Sequence, residues 1–132
     1  MDLLRIQNHN KYSLTKKAFD RVSKIKPGQN YTCLKENIRS VHSGSYGRLE
    51  WGEPASTITT RFDTPSGGKF IHPSQNRMIT PREAARIQSF PDSFVFRGTK
   101  STICKTIGNA VPPKIAYTFA FMIKELIEND TK

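Results

Sequence analysis

Three arginines, Arg77, Arg82 and Arg86, cluster around one strong helix-start signal, Thr80-Pro81-Arg82-Glu83. Each guanidinium is a planar fork of several donors, suited to holding loop carbonyls or to pairing with phosphate. For Arg82 and Arg86 the structural use outweighs direct phosphate contact, because most contacts to a polyanionic backbone position rather than read. A second group is Gly108-Asn109, which stands directly before Ala110-Val111-Pro112-Pro113. Glycine permits close backbone approach and asparagine brings both a donor and an acceptor. That pair suits the edge of a polar ligand, and in isolation it suits an ordinary turn. Nucleophilic and metal chemistry find less support. Cys33 and Cys104 are the two cysteines, with no Cys-x-x-Cys and no histidine spacing fit for zinc. Neither a disulfide framework nor a metal site is expected, and both thiols read as buried or inert in a reducing cytosol.

The elements that position these residues follow from periodicity and punctuation. Leu14, Ala18, Phe19, Val22 and Ile25 recur at helical steps before Pro27-Gly28, so Ser13 to Lys26 is predicted to be an amphipathic helix. Its polar face carries Lys16, Lys17, Arg21 and Lys24, a solvated face or a phosphate-facing one. From Gln29 to Phe70 the chain is broken by Gly44, Gly47, Gly52, Pro54, Pro65 and Gly67-Gly68, a pattern of short strands and loops. Thr80, Pro81 and Glu83 give a capped start with a capping box, and Phe90-Pro91 ends that helix. Another helix begins at Pro112-Pro113 and reaches about Asn129, with Ile115, Phe119, Met122 and Leu126 on one stripe. The fold class expected is α+β, a small lobe of short strands, loops and helices followed by a long C-terminal helix.

Charge narrows the partner. Lysine and arginine number 21 against 11 acids, a formal net charge of +10, and the sequence pI is about 9.9. Such an excess favours a polyanion through counterion release, with nucleic acid the first expectation. It leans mildly toward residues 1–50, where 10 bases face 4 acids. At 132 residues, with 36% hydrophobic side chains and a mean hydropathy of -0.56, the chain has material for one thin core. No signal peptide and no apolar run near 18 residues is seen, so a cytoplasmic protein with no membrane association is expected.

Two stretches carry a family resemblance. The run His72-Pro73-Ser74-Gln75-Asn76-Arg77-Met78-Ile79-Thr80-Pro81-Arg82-Glu83-Ala84-Ala85-Arg86-Ile87-Gln88-Ser89-Phe90-Pro91-Asp92 resembles the ninth motif of DNA cytosine-5 methyltransferases, and Ile107-Gly108-Asn109-Ala110-Val111-Pro112-Pro113 resembles their tenth. Upstream, Tyr46 to Trp51, Thr57-Ile58-Thr59, Ile25 to Tyr31 and the Asn8-His9 pair resemble the family's target-recognition region.

The resemblance implies a C-terminal part of such an enzyme. Residues 1–98 would form the target-recognition lobe with the ninth-motif helix, and residues 99–132 the tenth motif and a helix packing on the cofactor domain. Arg77, Arg82 and Arg86 would organise the recognition loops, with Thr57 among the recognition residues. Asn109, Ala110 and Val111 would lie near S-adenosyl-L-methionine, bound mainly by the missing catalytic part. Implied partners are double-stranded DNA and a catalytic half, in the same or a separate polypeptide. The C-terminal helix could instead join two copies as a homodimer. In a bacterial host the protein would be nucleoid-associated.

No catalytic residue is expected in the chain itself. The family's nucleophile is a cysteine directly after proline, whereas Cys33 follows Thr32 and Cys104 follows Ile103. Glu36-Asn37-Ile38 imitates the family's Glu-Asn-Val motif but falls inside the recognition region, where no assembled site would use it. No Phe-x-Gly-x-Gly loop and no Gln-x-Arg-x-Arg segment occurs either. The expected function is recognition and cofactor closure for methyl transfer to cytosine in duplex DNA, with the chain alone inactive. The alternatives are a non-enzymatic, sequence-specific DNA-binding module and a decayed methyltransferase fragment.

Overall fold

A computed structural model describes residues 6–38 and 42–130. Residues 1–5 and 131–132, at the outer ends of the two expected regions, and 39–41, within the stretch read as strands and loops, lie outside the described residues. The first helix, α1, is Lys16–Val22, shorter than the Ser13 to Lys26 expected. Thr15 sets the start by accepting from the Ala18 N–H at 3.3 Å. The apolar stripe is used unevenly: Val22 and Ile25 are buried and Leu14 packs partly buried against the core, whereas Phe19 is exposed. A 3-10 turn follows at Tyr31–Cys33, capped by Asn30, and a second lies at Pro65–Gly67.

The strands expected between Gln29 and Phe70 reduce to two isolated bridges among the described residues: Arg48 with Ile71, parallel, and Ile71 with Met78, antiparallel. Around them Leu49 N–H donates to the Ile71 carbonyl and Ile71 N–H to the Gly47 carbonyl, both at 2.9 Å. A ladder cannot lengthen because the chain turns at Gly44, Gly52 and Gly68, the last two at positive φ. Gly47 is required for another reason. A Cβ there would meet Lys69 backbone and side chain at 2.6 to 2.7 Å. The lobe therefore consists of helices and tightly bonded loops rather than a mixed sheet.

Helix α2, Pro81–Ile87, begins with the full capping box, Thr80 accepting from Glu83 N–H and Glu83 accepting from Thr80 N–H. It buries Ala84 and Ala85 against Phe70, Ile71 and Ile79 in the core. Helix α3, Lys100–Asn109, is capped by Thr99 and contributes Cys104 and Ile107 to the same core. Its last turn approaches the 59–60 loop so closely that a Cβ on Gly108 would sit 2.5 Å from Thr59 and Thr60 backbone atoms. Gly108-Asn109 thus closes a helix rather than forming an isolated turn. The Gln88 amide donates to the Ile107 carbonyl and joins α2 to α3.

Helix α4, Pro113–Asp130, buries none of its residues. Ile115, Tyr117, Phe119, Phe121, Met122, Ile123, Leu126 and Ile127 are all about half exposed or more. No helix among the described residues is long and apolar enough to cross a membrane.

Candidate functional site

Arg82 is fully buried and every arm of its fork meets a carbonyl. Nε donates to Gln7 at 3.0 Å, Nη1 to Pro91 at 3.1 Å and Nη2 to Phe94 at 2.6 Å. Its own backbone N–H donates to the Asn8 carbonyl at 3.0 Å. Asn8, at φ 62, then clamps Phe96 from both sides, Nδ2 to the Phe96 carbonyl and Phe96 N–H to Oδ1. His9 Nδ1 reaches Thr80 Oγ1 at 2.9 Å. The segment carrying Gln7, Asn8 and His9 is thereby bolted across the start of α2 and onto the 91–96 loop. Loop carbonyls held by one buried multi-donor cation favour a single arrangement of these loops.

Arg77 forms a bidentate pair with Glu83, both arms at 2.7 Å, and donates also to Gln75 Oε1 and the Met78 carbonyl. Burial by itself pushes the Glu83 carboxyl up, but the Arg77 hydrogen bonds, the Thr80 N–H and the Arg77 charge bring it down to about 2. His72 Nε2 lies 3.8 Å from Glu83, yet burial, with Arg77 beside it, lowers the His72 pKa. That contact is therefore not an ion pair at neutral pH. A depressed carboxylate stabilises the fold above its unfolded value and loses that contribution as pH falls through its folded value. Stability is expected to decline from about pH 4.5 toward pH 2 by up to about 3 kcal/mol on this account. Glu83→Gln should flatten that acid slope in urea titrations at stepped pH, and an unchanged slope would assign the decline elsewhere.

Arg86 pairs with Asp92 at 2.6 and 2.8 Å, but both side chains are about half exposed. The Arg86 hydrogen bonds hold the Asp92 carboxyl below its ordinary range. A pair so open to water adds little stability, so its main effect is to fix the turn after α2. The three arginines are thus brought around one helix, with one buried, one mostly buried and one at the surface.

Sequence reasoning missed a fourth. Arg48 is 4% exposed and gives five hydrogen bonds with no carboxylate among the acceptors. It donates to the Val22 and Ile25 carbonyls at 2.8 and 2.6 Å, to His72 and Gln75 carbonyls at 2.7 and 2.8 Å, and to Asn76 Oδ1 at 2.8 Å. Burial lowers its pKa. Val22 is the last residue of α1, and its carbonyl, which accepts the Ile25 N–H at 3.3 Å, takes a shorter second hydrogen bond from Arg48 at the negative end of the helix dipole. It joins α1 to the 72–76 loop as Arg82 joins the opposite side.

Asn109 is exposed at the end of α3, and its side-chain amide has no partner among the described residues. Ala110 is half-buried and Val111 is 64% exposed. Thr57 is exposed beside buried Ile58. Of the cysteines, Cys104 is buried but Cys33 is exposed, so burial does not account for both. Burial pushes the Cys104 thiol up to about 11, far from a nucleophilic thiolate. Glu36 is held at the surface by Arg21, at 2.8 Å.

Comparison with known proteins bears on this arrangement directly. The family model for C-5 cytosine-specific DNA methylases matches residues 1–125. The Type II methylase M.HgiDII of Herpetosiphon aurantiacus is 39% identical over 100 residues, 73% of this chain and 28% of that protein. The Type II methyltransferase M1.BsuMI of Bacillus subtilis is 49% identical over 76 residues, 57% of this chain and 18% of that protein. The DNA (cytosine-5)-methyltransferase PliMCI of Paracentrotus lividus is 41% identical over 103 residues, 76% of this chain and 6% of that protein. A crystal structure of a prophage-encoded E. coli protein, assigned as a DNA modification methyltransferase, is 30% identical with a TM-score of 0.54, covering 83% of this chain and 26% of that one. The chain therefore spans less than a third of the length of these relatives. A match over nearly its whole length nonetheless shows that the chain belongs to the C-5 cytosine-specific DNA methylase family.

Proposed function

We propose that this chain is the DNA-recognition and cofactor-closing part of a DNA (cytosine-5-)-methyltransferase. Residues 1–98 would be the recognition lobe, with Arg77, Arg82 and Arg86 organising its loops and Thr57 at the DNA-facing surface. Residues 99–132 would complete the cofactor domain. The observation that carries this reading is the pairing of a family match over residues 1–125 with the absence of a proline-cysteine nucleophile anywhere in the chain. Duplex DNA is the partner, and the excess of 10 positive charges supports phosphate contact. The setting is cytoplasmic, on nucleoid DNA in a bacterial host.

S-adenosyl-L-methionine would supply the methyl group on its sulfonium centre. Asn109, Ala110 and Val111 fit one edge of such a ligand: the free Asn109 amide offers a donor and an acceptor, and the backbone beyond it is not helical. They are too few to enclose it. Binding falls mainly to the remainder of the enzyme, and this chain steadies the edge through Gly108 on the 59–60 loop.

The expected behaviour of the isolated chain is weak duplex binding and no methyl transfer. Two or more phosphate contacts should weaken that binding by about tenfold or more between 50 and 200 mM salt. Mixing with the catalytic remainder should restore protection of DNA from restriction cleavage. Labelled methyl incorporation by the pure chain, or an affinity indifferent to salt, would count against this reading.

A further inference from the structure

Beside the 49–55 loop lies a cleft with about 350 Å³ of space, whose walls are mainly Leu49, Trp51, Ala55, Pro73, Ile79 and Ile87. Trp51 is the only tryptophan of the chain and is 72% exposed. It is nevertheless held. Its Nε1–H donates to Ser74 Oγ at 2.8 Å, and His72 meets it edge to face with centroids 6.1 Å apart and planes at 84°. An indole already fixed with an open face loses little freedom when something docks on it.

Charge at this cleft runs opposite to the rest of the molecule. Glu50 and Glu53 line it and have no ion-pair partner among the described residues. The other charges there cancel internally, Glu83 with Arg77 and Arg86 with Asp92. On a chain of net charge +10 this is a local patch of negative sign over an apolar wall. Phosphate is repelled from such a surface, while a cation on an aliphatic stem gains from both components.

We propose that this cleft docks a protein segment presenting an arginine or lysine next to an aliphatic residue. The aliphatic side chain would pack on the Leu49, Pro73 and Ile87 wall, the cationic stem would lie over Trp51, and its head group would reach Glu50 and Glu53. The Glu50 and Glu53 carboxylates at its rim, unpaired among the described residues, repel phosphate, so its occupant is a protein rather than DNA.

Trp51 makes the test direct, since α4 contains no tryptophan and binding there would not be read by emission. The probes are the end-capped tripeptides Leu-Arg-Leu and Leu-Glu-Leu, titrated into the full chain while Trp51 fluorescence is followed. Leu-Arg-Leu should change the emission saturably and bind about tenfold or more tightly than Leu-Glu-Leu. Glu50→Gln with Glu53→Gln should bring the two peptides to within about twofold while Trp51 emission in the free protein is kept. The proposal is overturned by equal affinities in the parent chain, or by no emission change at roughly 10 mM peptide. It is also overturned if emission depends on chain concentration without peptide, which would make a second copy the occupant, or if duplex DNA displaces the bound peptide.

Discussion

Substituting Arg48 with alanine is expected to destabilise the fold by roughly 3 to 5 kcal/mol, a large part of what a small domain has in total. The reason lies in what remains. Arg48 serves four carbonyls and the Asn76 amide oxygen, drawn from α1, the turn after it and the 72–76 loop. With the guanidinium gone, the Val22 and Gln75 carbonyls keep backbone donors from Ile25 and Arg77, whereas the Ile25 and His72 carbonyls lose theirs, and each acceptor left unsatisfied away from water costs about 1 to 3 kcal/mol. Arg48→Lys tests geometry against charge. A lysine retains the positive charge but concentrates it at one ammonium, so it cannot span acceptors on both sides of the fork, and a loss of about 2 to 4 kcal/mol is expected. Urea unfolding followed by far-ultraviolet circular dichroism measures both variants. A cost below about 1 kcal/mol for Arg48→Ala would show that water replaces the fork and that Arg48 does not hold α1 in place.

The contrast between Arg48 and α2 shows which parts of the molecule are legible in sequence. Thr80, Pro81 and Glu83 act on backbone groups within three residues of one another, so their chemistry is complete in a short window and the capping box forms as expected. The clustering of Arg77, Arg82 and Arg86 is local in the same sense. Their acceptors are not: Gln7 lies 75 residues from Arg82. Arg48 sits between Gly47 and Leu49 with no acid or cap beside it, and its partners lie 23 to 28 residues away. Nothing in its own window marks it as buried.

Helix α3 escaped for a different physical reason. Thr102, Ile103, Thr106 and Ile107 are β-branched, and Gly108 follows, so intrinsic helix propensity is poor. The segment is helical because Thr99 caps it and Cys104 and Ile107 enter the core. Thr99 before Lys100 is the one sequence signal that could have suggested it. The opposite failure occurs between Gln29 and Phe70, where glycines and prolines suggested strands separated by turns. Of the extended residues there only Arg48 forms a bridge, to Ile71 beyond the stretch, and the backbone bonds that a sheet would supply come from loops and from arginine.

The largest functional effect is expected from α4. Replacing Phe119 and Ile123 with aspartate should reduce restoration of methylation by more than about a hundredfold when the chain is mixed with the catalytic remainder. The fold should be unaffected, because α4 buries none of its residues and both positions are more than half exposed. Changes on such a face ordinarily shift stability by only about 0.5 kcal/mol. An 18-residue helix that leaves Ile115, Phe119, Met122, Ile123 and Leu126 open has not found its packing surface within the described residues. Burying four large apolar side chains contributes about 6 to 12 kcal/mol before the entropic cost of association. Removing two of them forfeits about 3 to 6 kcal/mol, and each aspartate adds the cost of desolvating a carboxylate. A hundredfold loss needs only about 2.7 kcal/mol, so the margin is wide. Phe119 and Ile123 are four residues apart and share one side of the helix, so the two charges act on the same contact. Sedimentation of the parent chain distinguishes the two possible covers. Association that rises with concentration and vanishes in the double variant points to a second copy, whereas a parent that stays monomeric until the catalytic remainder is added points to that remainder. If the parent is monomeric at high concentration and the double variant restores methylation as well as the parent does, α4 has no part in assembly.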